Sequence, residues 1–331
     1  MNTRPAFASP LAPVITRYLD LMTALGRGYA TERRVFSLLD AFLAAAHASE
    51  LTPEVFERWC QTQAHLKSGI QRTQMRMVRN LCLYRRRTEP ACFVPDMAGF
   101  PSGHQYTPPY ILTEDEIARL LVTARRGATT AAASFRARAL HVGVVLLYTA
   151  GLRRGELLQL TLGDYDPQAH TLLVRASKFH KSRLLPLSPD AVQALDAYLA
   201  VRRMTRPDTT TGAAPLIWKG GTAVHGYSGS RWSQLFHALA RHAGVVKADG
   251  QPPRVHDLRH SFAVHALLRW YRAGVDVQTK LPFLSTYMGH VSMVSTQYYL
   301  RFVEPVASAA SARFAQHYGQ LLTPHIQEEQ P

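Results

Sequence analysis

Cysteine is scarce, with three thiols at Cys60, Cys82 and Cys92 in 331 residues. An odd count without paired metal-ligand spacing argues against a disulfide framework or a cysteine metal site, and leaves buried or incidental thiols. Long apolar runs are lacking too. The longest, around Val142 to Tyr148, falls far short of the ~20 residues a membrane-spanning helix needs. No basic start is joined to an apolar run and a small-residue cleavage site, since Pro5 and Pro10 interrupt Arg4 to Leu11, so a cytoplasmic protein is expected. Charge is sparse at 18%, and acid is the scarcer sign: 23 Asp and Glu stand against 38 Lys and Arg, a formal charge of +15 that 15 histidines can raise below neutrality. Such a surface favours a polyanion, most simply nucleic acid, although an anionic membrane would attract it too. What is present is apolar: with 47% hydrophobic residues the chain can fill two cores, and a disordered chain is excluded.

The predicted organisation is mainly α with a small β hairpin, an α+β chain. Ser9 before Pro10 starts a helix over Leu11 to Leu25 that Gly26 can end. A second helix is read from Thr31 to His47, with Val35, Leu38, Leu39 and Phe42 on one face. Thr52, Pro53 and Glu54 cap a third, and Ser68 to Tyr84 make a fourth, so the first hundred residues read as a helical bundle. Five prolines and two glycines between Thr88 and Leu112 predict a linker over residues 89–112 between a domain of residues 1–88 and one of 113–331. Thr113 to Glu116 form a capping box that restarts helix. Thr171 to Arg175 and Arg183 to Leu187 are β-prone runs joined by a polar turn. Residues 1–110 hold 13 basic and 8 acidic side chains and the remainder 25 and 15, so both parts are basic, as a clamp gripping DNA from two sides requires.

Several short patterns carry chemistry. In the fourth helix Arg72, Arg76 and Arg79 share a stripe, and Arg85, Arg86 and Arg87 extend it; a phosphate backbone or plain solvent suits that face. Arg153 lies in Gly-Leu-Arg-Arg-Gly-Glu, where its guanidinium could grip phosphate oxygens and Glu156 could pair with a neighbouring base, or the two could form a surface ion pair. Lys178 sits in the hairpin turn, poised for a groove or merely solvated. His256 and Arg259, three apart in His-Asp-Leu-Arg-His, share a helix face with Leu258 turned to the core and can address one phosphate, although the pentapeptide alone suits a structural pair better. Gly289-His290 is followed by Tyr299, nine residues after the histidine, and such a tyrosine is more often a packing residue.

Together, in this order, these motifs resemble the active-site series of the tyrosine recombinase (phage integrase) family, over residues from about 113 to 302, with Leu258 to Ala263 matching closely. The resemblance implies a helical, SAM-like core-binding domain at residues 1–88 and a catalytic domain over 113–331. Arg153 and Arg259 would then clamp the scissile phosphate and stabilise its pentacoordinate transition state. His256 would handle the nucleophile's proton, His290 would hydrogen-bond the phosphate, Lys178 would protonate the departing 5′ oxygen, and Tyr299 would attack phosphorus to give a 3′-phosphotyrosyl link. Glu156 and His260 would stand behind them. Two guanidiniums and a lysine supply charge that a nuclease takes from divalent ions, so no metal or cofactor is implied, and the covalent link conserves bond energy without ATP. The expected partner is double-stranded DNA, cut and rejoined for integration or excision of a mobile element, by a monomer or dimer that forms a homotetramer in synapsis. The long segment between His260 and Gly289 resembles recombinases of transposons. After Tyr299, Val306, Ala310, Phe314 and Leu321 can line a last helix that packs at home or docks on a neighbouring protomer. Two rivals stay open: a DNA-binding accessory protein that no longer cuts, and a type IB topoisomerase.

Overall fold

The structure, a computed structural model, describes residues 7–103, 107–126, 131–175, 182–206, 211–220, 224–290 and 292–302, without the side chains of 131–134 and 302. Lys178 and the expected last helix lie outside the described residues. The chain divides into two compact units, Met1–Thr107 and Pro108–Pro331.

In the first unit α1 (Ala12–Ala24), α2 (Ala30–Ala45), α3 (Pro53–Thr62) and α4 (Ser68–Arg85) follow the predicted boundaries to within a few residues. Local signals explain the agreement: the Thr52 hydroxyl accepts the Val55 N–H at 3.3 Å, and proline occupies the first turn of α1 and α3. Ile15, Leu19, Phe36, Leu39, Leu43, Trp59, Val78 and Leu81 close the core. The Pro-rich segment does not run loose up to the second unit. Phe100 is buried in this core, Phe93 and Val94 pack against it, and Met97–Gly99 make a 3-10 turn. Prolines leave neighbouring carbonyls without ladder partners, and α4 supplies donors: Arg72 bonds the Pro101 carbonyl at 2.8 Å and Arg79 that of Pro95.

The second unit opens with α5 (Glu114–Arg126), whose capping box forms as read: Thr113 N–H meets Glu116 at 2.9 Å, and the Glu116 N–H meets the Thr113 hydroxyl at 3.1 Å. Helix α6 (Ala131–Thr149) is buried on all sides from His141 to Leu147, as suits a helix surrounded by α5, α8 (Pro189–Thr205) and α10 (Val255–Arg272). The short α7 (Arg154–Gln159) leads into a three-stranded antiparallel sheet, β1 (Tyr165–Asp166), β2 (Thr171–Val174) and β3 (Arg183–Pro186). Tyr165 pairs with Leu172, and Leu172 with Leu185, so the buried Leu172, Val174 and Leu185 set the register while Leu184 faces out. The strand β1 was not anticipated. Helix α9 (Gly229–His242) then packs on α5, α7 and α10. The segment after His260 holds the rest of α10 and α11 (Val277–Met288), whose Leu267, Leu281, Leu284 and Met288 form a separate apolar cluster with Tyr299. A one-turn α12 (Val294–Gln297) and a 3-10 turn (Tyr298–Phe302) follow.

Candidate active site

Arg153 caps the N-terminus of α7 because Gly151 turns the chain out of α6. Gly151 has φ +58°, and a Cβ there would stand 2.5 Å from the Phe262 ring. The cap is reciprocal. Glu156 accepts the Arg153 backbone N–H at 2.9 Å and its guanidinium at 2.6 Å. The neighbouring guanidinium of Arg154 leaves in another direction, to the Ser233 hydroxyl at 2.7 Å, so Arg153 is the one of the pair that enters the site.

A third arginine, unforeseen from the sequence, completes this corner. Arg183 on β3 grips Glu156 with both terminal nitrogens at 3.0 and 2.9 Å and bonds the Tyr287 carbonyl through Nε at 2.9 Å. Burial pushes the Glu156 carboxyl up, but the bonds from Arg183 and Arg153 outweigh it and hold the group at about 2.

Arg259 is 1% exposed on α10, and its guanidinium is held by carbonyls: Nη1 by Gly151, Nη2 by Met288 at 2.6 Å. Arg153 Nη2 bonds the next carbonyl along, Gly289, at 2.8 Å. The C-terminal carbonyls of α11, the negative end of its dipole, therefore carry both guanidiniums. Gly289 caps that helix at φ +67°, and a Cβ would meet the Arg183 guanidinium at 2.8 Å. Burial, then the Arg153 charge, lowers the Arg259 pKa to about 10. Three guanidiniums thus surround one carboxylate, with Arg259 Nη1 at 3.9 Å from it.

Opposite them stands Tyr299, 3% exposed, its phenol raised by burial against the lowering charge of Arg259. The His290 ring stacks on it at 6.1 Å, fixed by a 2.8 Å bond between Nδ1 and the buried Thr296 hydroxyl. His260 Nδ1 lies 3.2 Å from the tyrosine oxygen, and the exposed His256 abuts the His260 ring at 4.6 Å. Burial first, and then nearby positive charge, lowers His260 and His290 to about 4. Tyr298 is half-buried and lies edge-on to Tyr299. Of the residues expected here, Arg153, Glu156, His256, Arg259, His260, His290 and Tyr299 converge. His260 lies in contact with Tyr299 rather than behind it.

The expected DNA-binding arginines of α4 separate into two groups. Arg72 and Arg79 hold carbonyls as described, and Arg85 is tied to Glu50 at 2.8 Å through Nη2 and to Glu89 at 2.8 Å through Nε. Arg76, Arg86 and Arg87 are exposed.

Residues 111–304 match the phage integrase family. A Sinorhizobium fredii protein described as an integrase/recombinase, y4rB, is 31% identical over 88% of this chain and 93% of its own length. Tyrosine recombinase XerD of Mycobacterium leprae is 38% identical over 46% of this chain and 45% of its own. Among solved structures, the XerH site-specific recombinase bound to a palindromic difH substrate aligns with a TM-score of 0.61 at 16% identity, over 86% of this chain and 79% of that one. The Tn1549 transposon integrase in complex with transposon right-end DNA aligns at 0.60 and 16%, over 92% and 98%. These structural likenesses carry the fold, and no described helix is long and apolar enough to cross a membrane. With the paired guanidiniums and the buried tyrosine in one pocket, the chain belongs to the phage integrase family of tyrosine recombinases, enzymes that cut and rejoin DNA.

Proposed function

We propose that this protein cuts double-stranded DNA at a specific site through Tyr299 and rejoins it, moving a mobile element into or out of a chromosome. The observation that carries the reading is the charge imbalance of the pocket: three guanidiniums share the single carboxylate of Glu156. A buried excess of positive charge is costly unless an anion enters, and a phosphodiester supplies one. Arg153 and Arg259, preorganised by carbonyls at the end of α11, bind its non-bridging oxygens and hold the charge that develops in the pentacoordinate transition state. Arg183 acts through Glu156, keeping the carboxylate ionised and Arg153 aimed.

Tyr299 attacks phosphorus, a histidine of α10 accepts its proton, and His290 donates a hydrogen bond to the phosphate. Lys178, between β2 and β3 in the sequence, protonates the 5′ oxygen that leaves. Attack by another 5′ hydroxyl reverses the sequence and joins the strands. The first unit, as a core-binding domain, contacts the duplex through the exposed arginines of α4, and four protomers assemble in synapsis. The mobile-element role draws on the relatives described as integrases and on the transposon integrase of the same fold.

The test is a nicked suicide duplex built from the DNA that flanks the gene, incubated without added metal and run on a denaturing gel. A protein–DNA adduct is expected in wild type. Tight binding without an adduct would favour a non-cutting accessory protein. Relaxation of any supercoiled plasmid by a monomer would favour a topoisomerase.

A further inference from the structure

A phenol becomes a useful nucleophile only as its proton leaves, and Tyr299 is buried beyond the reach of bulk water. The proton must pass to a neighbouring group. Two histidines stand one helical turn apart on α10, and only one of them reaches the tyrosine oxygen. His260 Nδ1 is 3.2 Å from it, and the ring centroids are 5.5 Å apart. His256 lies at the exposed rim and meets the assembly through the edge of the His260 ring, at 4.6 Å and 84°.

We propose that His260 is a catalytic residue, the base whose Nδ1 takes the Tyr299 proton during attack. The assignment rests on the phosphotyrosyl reading above and gives His260 the task that the family resemblance implied for His256. In the step, the tyrosine O–H bond breaks and an Nδ1–H bond forms. The oxygen's electron pair makes the bond to phosphorus, and the phosphorus–5′ oxygen bond breaks with its pair on the leaving oxygen, which takes a proton from the general acid, Lys178. The imidazolium left behind returns its proton to Tyr299 when the strand is rejoined.

The surroundings suit that cycle. His260 is faced by His256, Arg254, Asp257 and Arg259 from its own helix and cap, and by Tyr299 from the 3-10 turn. Burial and the positive members of this set keep the resting ring neutral, with a lone pair to offer. Transfer to it is uphill until DNA binds. The incoming phosphodiester adds negative charge beside the ring and favours its protonated form, so the base strengthens only when the substrate is in place.

The experiment measures adduct formation in a single turnover on the suicide duplex with full-length protein. His260→Asn keeps an oxygen that can accept the tyrosine hydrogen bond but cannot hold the proton, and should slow adduct formation about 10²-fold or more with DNA binding unchanged. Placing 2,3,5-trifluorotyrosine at position 299 by nonsense suppression lowers the phenol's pKa and should restore most of that rate. The same substitution should do little for His256→Asn. His260→Gln, which fills more of the ring's volume, serves if the Asn variant loses its fold. Wild-type rates in both His260 variants, a loss that the fluorinated tyrosine does not relieve, or relief confined to His256→Asn would each overturn the assignment. Absence of any adduct in wild type would instead bring down the phosphotyrosyl reading itself.

Discussion

Arginines crowd both units, yet they meet opposite fates. On α4, Arg85 is neutralised by Glu50 and Glu89, while Arg72 and Arg79 close backbone carbonyls left open by the Pro-rich segment. In the second unit, Arg153, Arg183 and Arg259 also satisfy carbonyls, but they share one carboxylate. On α4 the two carboxylates stand against the one guanidinium of Arg85, and Arg72 and Arg79 lie apart on carbonyls of the Pro-rich segment, whereas in the second group three guanidiniums crowd a single carboxylate. A cationic cluster with balanced charge fastens structure, and one with satisfied geometry but surplus charge is prepared for an anionic ligand.

The sharpest way to break the comparison is at the residue the surplus serves. Tyr299→Phe removes the attacking oxygen and little volume, so the adduct should vanish while DNA binding survives; Tyr298→Phe should keep it. A denaturing gel decides, and an adduct in Tyr299→Phe would refute the assignment. Next comes the clamp. Arg259→Ala should lower the single-turnover cleavage rate by about 10²–10³, the usual cost of losing a preorganised transition-state donor. Arg154→Ala, whose side chain lies on Ser233, should cleave at close to the wild-type rate.

The balance itself can be weighed through Glu156. Its carboxyl sits near 2 in the folded chain against about 4.3 when unfolded, so it contributes stability that is complete above the unfolded value and lost as pH falls through the folded one. That difference is worth about 3 kcal/mol, and Glu156→Gln should remove a similar amount in urea melts at neutral pH. Equal stability of the two proteins at pH 7 would mean the guanidiniums do not need the carboxylate.

The smallest effects should separate the arginines of α4. Arg76→Ala should flatten the log–log salt dependence of DNA binding by roughly one, the signature of a lost phosphate contact. Arg85→Ala should leave that slope alone and cost about 1 kcal/mol or less of stability, since its carboxylate partners are partly exposed. If the two variants change the slope equally, the division of α4 into structural and binding arginines fails.

What the sequence disclosed divides along the same physical line. Helix limits in the first unit, the capping box of Thr113 and Glu116, and the inward face of Leu258 are set within one or two turns of chain, so spacing reveals them. Arg153 and Glu156 were visible as a neighbouring pair for the same reason. Arg183 was not, because its partner lies 27 residues away and only hairpin closure brings them together. β1 has two residues and no alternation to read. Helix α11 contains Pro282, which argues locally against a helix and is outweighed by the packing of Leu281, Leu284 and Met288. Position in the motif ranked His260 behind His256, whereas the turn after Gly289 carries Tyr299 back to His260.

The end of α11 has a further consequence during synthesis. Both clamp guanidiniums are oriented by carbonyls of Met288 and Gly289, with His290 directly after and the nucleophile nine residues beyond. A nascent chain that has emerged only through α10 carries Arg153, Glu156, Arg183 and Arg259, yet lacks the Met288 and Gly289 carbonyls that help aim two of them and the tyrosine proposed to attack DNA. The carbonyls that aim the clamp and the proposed nucleophile therefore leave the ribosome together, after α10.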